Sequence, residues 1–496
     1  VLGPEGTPFA FLFGTSELDM RMFDTTKAKP DYSLLALVMA LSIFGLVMVY
    51  SASFFVAVSE GQAQTHYLQR QFLWMGLGTV GLLFGMRIDY RVWKRFTMPL
   101  FGFSIILLLL VLMLPESMTS AGGARRWIRV GGQQFQPVEL AKFALIVYLA
   151  AWLVGRGGDK LKSMGKGLVP FVLIVGLLCG IMYMQRNVSS AFMLIVIAVA
   201  IYFAAGANLA HIGLGMLGAA GVGWVFVTTL GHASVRWRMF LDPWADPRGG
   251  GFQPIHSLYA LASGGVFGRG LGQGRQKFLW LYSPHADSIF AVIGEELGML
   301  GAGLVVVAFV LLGYRGFRIA ARTNNAFGAL LAVGITSWIT FQAFVNMAVV
   351  SSLIPYTGQT LPFVSYGGTS LAMCMFAMGV LLNVSKHVDD QRPEPLPSPV
   401  VPGSPPAKGR KRRKGLWPAL AALVWRGNRR PRISGAHGRV GFARTARRAD
   451  VVVDARGWRR LTSQGRAKHG ATARSGGRAS GKRAAGGTKS SAERRS

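Results

Sequence analysis

Two cysteines in 496 residues, Cys179 and Cys374, are too few for a disulfide framework or a thiolate metal site, and each lies inside an apolar run. Acidic residues are scarce as well, with 21 Asp and Glu against 54 Lys and Arg and a net charge of +33. Charged residues of both signs make up only 15% of the chain, where a soluble domain carries roughly a quarter. The imbalance is not uniform. Val388–Ser496 holds 27 basic and 6 acidic residues, while residues 1–387 hold the other 27 basic and 15 acidic groups in a far more apolar stretch. The chain is therefore a hydrophobic body with a basic tail. That argues against a nucleic-acid-binding domain, whose cations stripe a folded face. Other signatures are missing too. The first 33 residues hold Asp19, Asp24 and Asp31 and only a short apolar patch, Phe9–Phe13, so they do not read as a signal peptide. No zinc-ligand spacing and no G-x-S-x-G elbow is present. The glycine-dense stretch Gly264–Gly274 lacks both the phosphate-loop ending and G-x-G-x-x-G spacing, and is expected to be a flexible loop near a membrane surface.

What is present is a series of long apolar runs. A bilayer crossing takes about 17–25 such residues. Ten candidates occur, at 34–56, 71–87, 97–115, 139–155, 167–184, 189–205, 211–230, 286–313, 327–350 and 367–385. The predicted fold is an all-α integral membrane protein of about ten transmembrane helices. It has three parts: an N-terminal segment (1–33), a polytopic domain (34–387) and a basic tail (388–496). Gly215, Gly218, Gly221 and Gly223 suit close helix packing in lipid. Cytoplasmic loops are enriched in Lys and Arg. Such residues follow span two (Arg87, Arg91, Lys94, Arg95), span four (Arg156, Lys160, Lys162, Lys166) and span eight (Arg315, Arg318, Arg322). Both termini are thus expected in the cytoplasm. The tail, Pro-rich from Arg392 to Pro406 and then Arg/Gly/Ala-rich, cannot bury enough surface to offset chain entropy and is expected to be disordered. Its polybasic run Lys408–Lys414 suits anionic headgroups, and its island Leu416–Trp425 suits an interface; a solvated tail without a partner fits equally.

Cations on the other side run against that topology. Arg125, Arg126 and Arg129 follow span three, and Arg236, Arg238, Arg248, Arg269, Arg275 and Lys277 lie in the large external loop between spans seven and eight. One reading is surface charge paired with Asp242 and Asp246. The other is a lining for an anionic ligand such as a lipid pyrophosphate, whose oxygens Arg grips bidentately.

Carboxylates near membrane level carry most information, because each is costly there. Asp287 stands where the external loop enters span eight, ahead of Glu295 and Glu296. On a continuous helix Glu295 falls about 80° and Glu296 about 180° from Asp287, and Glu295 lies roughly 12 Å deeper. Asp287 is then the one that meets a headgroup, while the glutamates are expected in buried ion pairs. Glu139 and Lys142, at i and i+3, share one helix face, as a local salt bridge or as a hold on substrate.

Four ordered blocks converge on a family. They are Gly123-Ala-Arg-Arg-Trp-Ile128 with Phe135-Gln-Pro137 and Glu139-Leu-Ala-Lys142; Phe240-Leu-Asp-Pro-Trp-Ala-Asp-Pro247 with the glycines at 264–272; His285-Ala-Asp287 through Gly298; and Leu361-Pro-Phe-Val-Ser-Tyr-Gly-Gly-Thr-Ser370. Over about 32–387 the chain resembles the FtsW/RodA/SpoVE (SEDS) family of bacterial membrane proteins. The Asp-Pro-Trp-Ala-Asp-Pro wording is nearer the division branch than the elongation branch.

The resemblance implies a ten-span peptidoglycan glycosyltransferase of the cytoplasmic (inner) membrane that polymerises lipid II at the division septum. It implies Asp287 as the catalytic carboxylate, and Arg125, Arg126, Trp127, Glu139, Lys142, Lys277, His285 and Ser365 as substrate-binding residues. A divalent cation, Mg or Mn, is expected, with no organic cofactor. A class B penicillin-binding protein transpeptidase and other division-site membrane proteins are the expected partners, with no nucleic acid. A lipid II flippase, an elongation-type polymerase and a scaffold acting through the tail remain as alternatives. The chain also departs from the family pattern. Arg186-Asn187-Val188-Ser189 replaces Pro-Asp-x-Gly, Tyr282-Ser283-Pro284 replaces Pro-Glu-Ala, Ala286 replaces a common Thr and His256 replaces Gln. Asn187 is accordingly not carried over as a site.

Overall fold

The computed structural model describes residues 29–388, except 122–123, 131–132, 157–160, 162 and 230. The expectations for the N-terminal segment up to residue 28 and for the tail from residue 389 lie outside the described residues.

The described chain is mostly helical, and its longer helices are α1 (Tyr32–Ser59), α2 (His66–Arg87), α3 (Thr97–Met113), α4 (Pro137–Arg156), α5 (Val169–Met184), α6 (Val188–Ala204), α7 (Leu209–Thr229), α8 (Gly231–Leu241), α9 (Phe252–Gly264), α10 (Ile289–Arg322), α11 (Ala326–Val350) and α12 (Gly368–Lys386). Every expected span coincides with one of these helices, and α8 and α9 belong to the long connection before α10. Among the described residues six helices are long and apolar enough to cross a bilayer (α1, α4, α5 with the turn before it, α10, α11 and α12), and α3 and α6 are shorter apolar helices. This is a multi-pass all-α membrane protein. Two small antiparallel hairpins, Ser120–Ala121 with Ala124–Arg125 and Ile128–Val130 with Gln133–Phe135, fill the α3–α4 connection.

Polar residues mark where the apolar runs begin. Asp31 accepts from the amides of Ser33 and Leu34, Asn187 from Ser190, and Asn325 from Phe327 and Gly328. Each cap satisfies backbone donors that a helix start leaves open. Asp31 also pairs with Arg315 at 2.9 Å, and its amide donates to Ser385 Oγ at 3.1 Å. The start of α1 and the ends of α10 and α12 therefore share one end of the bundle, and Ser59 and Ile289 lie at the other, the Asp287 end. The glycines of α7 do not pack as expected. A Cβ on Gly215, Gly218, Gly221 or Gly223 would meet nothing within 4 Å among the described residues.

Helix α10 is not continuous. Gly298 has φ 68° and ψ −168°, which breaks it nine residues after it begins at Ile289. A break at membrane level leaves amides and carbonyls that lipid cannot satisfy. The glycine-dense stretch, expected to be free, is docked there instead. The amides of Arg269 and Gly270 donate to the carbonyls of Glu295 and Glu296, and those of Met299 and Leu300 donate to Gly265 and Val266. The glutamate side chains complete the job. Glu295 accepts from the amides of Arg275 (2.7 Å) and Gln276 (3.1 Å), and Glu296 accepts from Gly272 (3.0 Å). Glu296 also meets Lys277 Nζ at 2.6 Å, with both side chains 0% exposed, and Ser51 Oγ of α1 at 2.7 Å. The expected buried ion pair thus belongs to Glu296 alone, while Glu295 is held by backbone donors. Asp287 precedes the first residue of α10, so no helical angle relates it to either glutamate.

Removing one member of a buried pair leaves an uncompensated charge. Lys277→Met is expected to cost about 3–5 kcal/mol, and Lys277→Met/Glu296→Leu to recover most of that loss. Thermal unfolding of the purified chain in detergent measures both.

Candidate active site

Asp287 lies two residues before α10, in a cleft where the loop 351–367, α8, α9 and α11 converge. Its backbone carbonyl accepts from Asn346 Nδ2 of α11 at 2.8 Å, and the same amide donates to Gln359 at 2.7 Å. One buried side chain therefore fixes Asp287 and the facing loop together. Gly358, at φ 67°, brings that loop close enough that a Cβ would stand 3.5 Å from Asp287 Oδ2. A positive φ there favours glycine. Ser288 Oγ meets Tyr356 Oη at 2.6 Å, and Gln253 of α9 donates to Ser288 Oγ at 3.3 Å.

Asp287 Oδ1 is buried and has no hydrogen-bond partner. Burial pushes the Asp287 pKa up to about 6, against the opposing pull of its own amide, of the Arg236 charge, of the Ser288 amide and of Gln253. Desolvation outweighs the cation here. Arg126 and Arg236 both feel the Asp287 charge; burial lowers the Arg126 guanidinium pKa to about 10, and partial desolvation lowers that of Arg236, whose side chain stays exposed. Arg126 Nη2 donates to the Arg186 carbonyl at 3.4 Å, while its Nε is buried without a partner. The cleft thus combines a proton acceptor poised near neutrality with two cations.

The other expected site residues occupy different places. Arg125 Nη1 donates to the Leu112 carbonyl at 2.9 Å, at the end of α3. The Trp127 amide bonds Thr119, and its side chain is half-buried. Glu139 and Lys142 form a buried pair at 2.9 Å. Lys142 Nζ also donates to Gln342 Oε1 at 2.8 Å and sits 4.9 Å from the Trp338 ring centroid. Gln342 in turn holds the Thr360 carbonyl at 3.1 Å, one helical turn before Asn346, so this network braces the loop that faces Asp287. Lys277 is enclosed with Glu296, away from any open surface. The buried His285 ring packs against Tyr67 and Tyr366, with centroids 4.4 and 5.4 Å away, and burial pushes its pKa down to about 4, leaving it neutral. Ser365 Oγ accepts from the Leu361 amide at 2.8 Å.

The structure therefore joins Arg126 to Asp287 and uses Glu139, Lys142, Lys277, His285 and Ser365 as framework. Arg236, Gln253, Asn346 and Tyr356 complete the cleft although the sequence did not single them out as a site. Arg236 stood among the loop cations, whereas Asn346 shares its apolar span with Gln342 and carried no signal of its own. Asp242 and Asp246 cap backbone amides, of Trp244 and of Gly249 and Gly250.

Among the described residues no group of three or more His, Cys, Asp or Glu is placed to hold a metal by itself. Mg²⁺ sites draw on one or two carboxylates together with substrate phosphates, so a divalent cation would be held here by Asp287 and the phosphates of a bound substrate.

Fold and cleft together define a polytopic helical membrane protein with one partly enclosed carboxylate at the mouth of a broken helix. Comparison with known proteins gives its lineage. The family model FtsW/RodA/SpoVE, described as "Cell cycle protein", matches residues 32–390, and the chain belongs to that family. It is 43% identical over 360 residues to "Probable peptidoglycan glycosyltransferase FtsW" of Geobacter sp. (strain M18), covering 72% of this chain and 97% of that protein. "Stage V sporulation protein E" of Bacillus subtilis (strain 168) is 40% identical over 365 residues, covering 73% and 99%. Among solved structures, a chain from "Structural coordination of polymerization and crosslinking by a peptidoglycan synthase complex" superposes with a TM-score of 0.60 at 28% identity, over 73% of this chain and 99% of that one. The rod-shape-determining protein RodA of Thermus thermophilus superposes at 0.54 with 26% identity, over 72% and 97%.

An aspartate whose folded pKa exceeds its unfolded value stabilises the fold when protonated. That contribution is present below about pH 4 and is lost as pH rises through about 6. Above pH 6, Asp287→Asn is expected to melt higher than the parent, by no more than about 2 kcal/mol because the cleft is partly open, and the gain should vanish near pH 4. Melting curves across pH test this.

Proposed function

We propose that this protein is a peptidoglycan glycosyltransferase that polymerises lipid II into glycan strands during septal wall synthesis, with Asp287 as the general base. The carrying observation is the unpartnered Asp287 Oδ1, with its pKa pushed up to about 6, in a cleft shared with Arg126 and Arg236. Asp287 takes the proton from the acceptor sugar hydroxyl as that oxygen attacks the donor's anomeric carbon. The bond to undecaprenyl pyrophosphate breaks, and the leaving pyrophosphate gains negative charge that Arg126 and Arg236 offset. Attack opposite the leaving group inverts the anomeric centre, giving a β-1,4 linkage from an α-linked donor. His285, neutral and packed against two tyrosines, anchors the chain just before Asp287 by accepting from the Tyr366 amide at its carbonyl. The names of the FtsW relatives support the activity, and the solved peptidoglycan synthase complex supports a penicillin-binding protein transpeptidase as partner. The Lys/Arg pattern supports a cytoplasmic-membrane orientation with both termini inside and the Asp287 end outside.

With purified chain and lipid II, Asp287→Ala is expected to abolish glycan polymer, and retained polymerisation by that variant would overturn the assignment. Transbilayer movement of labelled lipid II without elongation would favour a flippase instead.

Because the base must be ionised, kcat/KM should climb through an acid limb near pH 6 and then level off. Arg236 stabilises the charged carboxylate, so Arg236→Ala should move that limb to higher pH and lower kcat/KM by about 10- to 100-fold. A pH–rate profile of both proteins reads the two effects.

A further inference from the structure

The geometry points to the segment Val266–Trp280 as a lipid-anchored element, lying in the headgroup layer on the Asp287 side with Phe267, Leu271 and Leu279 dipping among the acyl chains. Two independent depth gauges carry this. In α10, Arg315 pairs with Asp31 at the opposite end of the bundle, and the unbroken helix from Met299 to Arg315 rises about 24 Å. The hydrocarbon core is about 30 Å thick, so the break at Gly298 lies near its far edge. In α1, the same distance measured from Leu34 reaches Tyr50, next to Ser51, which bonds Glu296 and Lys277. Both helices therefore place the loop bonded to Glu295 and Glu296 at one level, the boundary between acyl chains and headgroups. Phe278 packs on Phe54 and Phe55 of α1 at that level, with centroids 6.0 and 4.8 Å apart.

The exposed side chains suit that level. Phe267 is 81% and Leu279 65% exposed, and Leu271 and Trp280 are exposed beside them. The surface continues into α10, because Met299 and Leu300, also exposed, bond the loop backbone directly, and Leu304 is 71% exposed a turn further on. The face of α10 beyond the break belongs to a membrane-spanning helix, so its continuation meets the same lipid. Arg269 and Arg275 are exposed among these apolar groups. Arginine and tryptophan together are what the interface selects, the first for phosphate and the second for its amphipathic ring. Irregular backbone survives at this depth only where its polar groups are matched inside the protein. Here Glu295, Glu296 and the carbonyls at the α10 break match them. This inference rests on membrane spanning alone and stands whether or not the chain polymerises glycan.

The test uses the full chain in phosphatidylcholine nanodiscs, with Cys179 and Cys374 replaced by alanine. Nitroxide labels are attached at Phe267→Cys, Leu271→Cys and Leu279→Cys, with Leu304→Cys as the lipid reference and Arg248→Cys as the water reference. Collision with oxygen should dominate at the three loop positions, as at 304, and collision with aqueous nickel chelate should dominate only at 248. Nickel access at 267 and 279 equal to that at 248 would overturn the proposal. So would shielding from both agents, the mark of a protein partner covering this face. A second measurement needs no label. Brominated phosphatidylcholine should quench the parent's tryptophan emission by a larger fraction than that of Trp280→Phe, and equal quenching of the two would count against the anchor.

Discussion

Backbone polar groups at membrane depth have to find partners within the chain, and this requirement shapes the whole Asp287 end of the molecule. The break at Gly298 exposes carbonyls and amides where water is scarce. A glycine-dense loop supplies the missing partners, and two carboxylates supply the rest. Once that loop is docked, Lys277 is carried into the interior, where Glu296 and Ser51 neutralise and bond it. The charges that look like functional groups in the sequence are in this way largely occupied with closing a helix. What remains open is Asp287, just before the first half-helix, with its approach set by the 351–367 loop on one side and α11 on the other.

The same economy applies around the carboxylate. Asn346 uses both hydrogens of its amide on backbone carbonyls, one from Asp287 and one from the facing loop. Gln342, a turn earlier, does the same for Thr360 while meeting Lys142. A column of amides on α11 thus sets the width of the cleft, and the Glu139–Lys142 pair holds the column from behind. Residues that never touch the Asp287 carboxylate can therefore govern how far apart Asp287 and the loop stand.

The helical body was legible because bilayer thickness imposes a run length on the sequence, and every long apolar run became a helix. Asp287 was legible because a lone carboxylate at an interface is costly. Lys277 was misplaced for a clear reason: sequence position assigns it to an outer loop, and only the fold reveals that the loop turns inward. The two glutamates were read on a helix continued back to Asp287, and neither the Ile289 start nor the Gly298 reversal announces itself in a stretch containing many glycines. Arg236 and Asn346 were visible as residue types but not as neighbours, since 110 residues of chain separate them and topology alone brings them to one cleft.

Asn187 has a wider consequence than its capping role. Its side chain oxygen holds the Ser190 amide as an aspartate's would, so the shape of the α6 start does not depend on which of the two is present. The charge does. Where the family pattern carries an anion next to the carbonyl that receives Arg126, this chain carries none, and the acid acting on Arg126 is Asp287 across the cleft. With one counter-ion fewer at that edge, the positive field of Arg126 is offset less locally. For the polymerase reading proposed above, the approach of an anionic substrate would then respond to ionic strength more than the chemical step does.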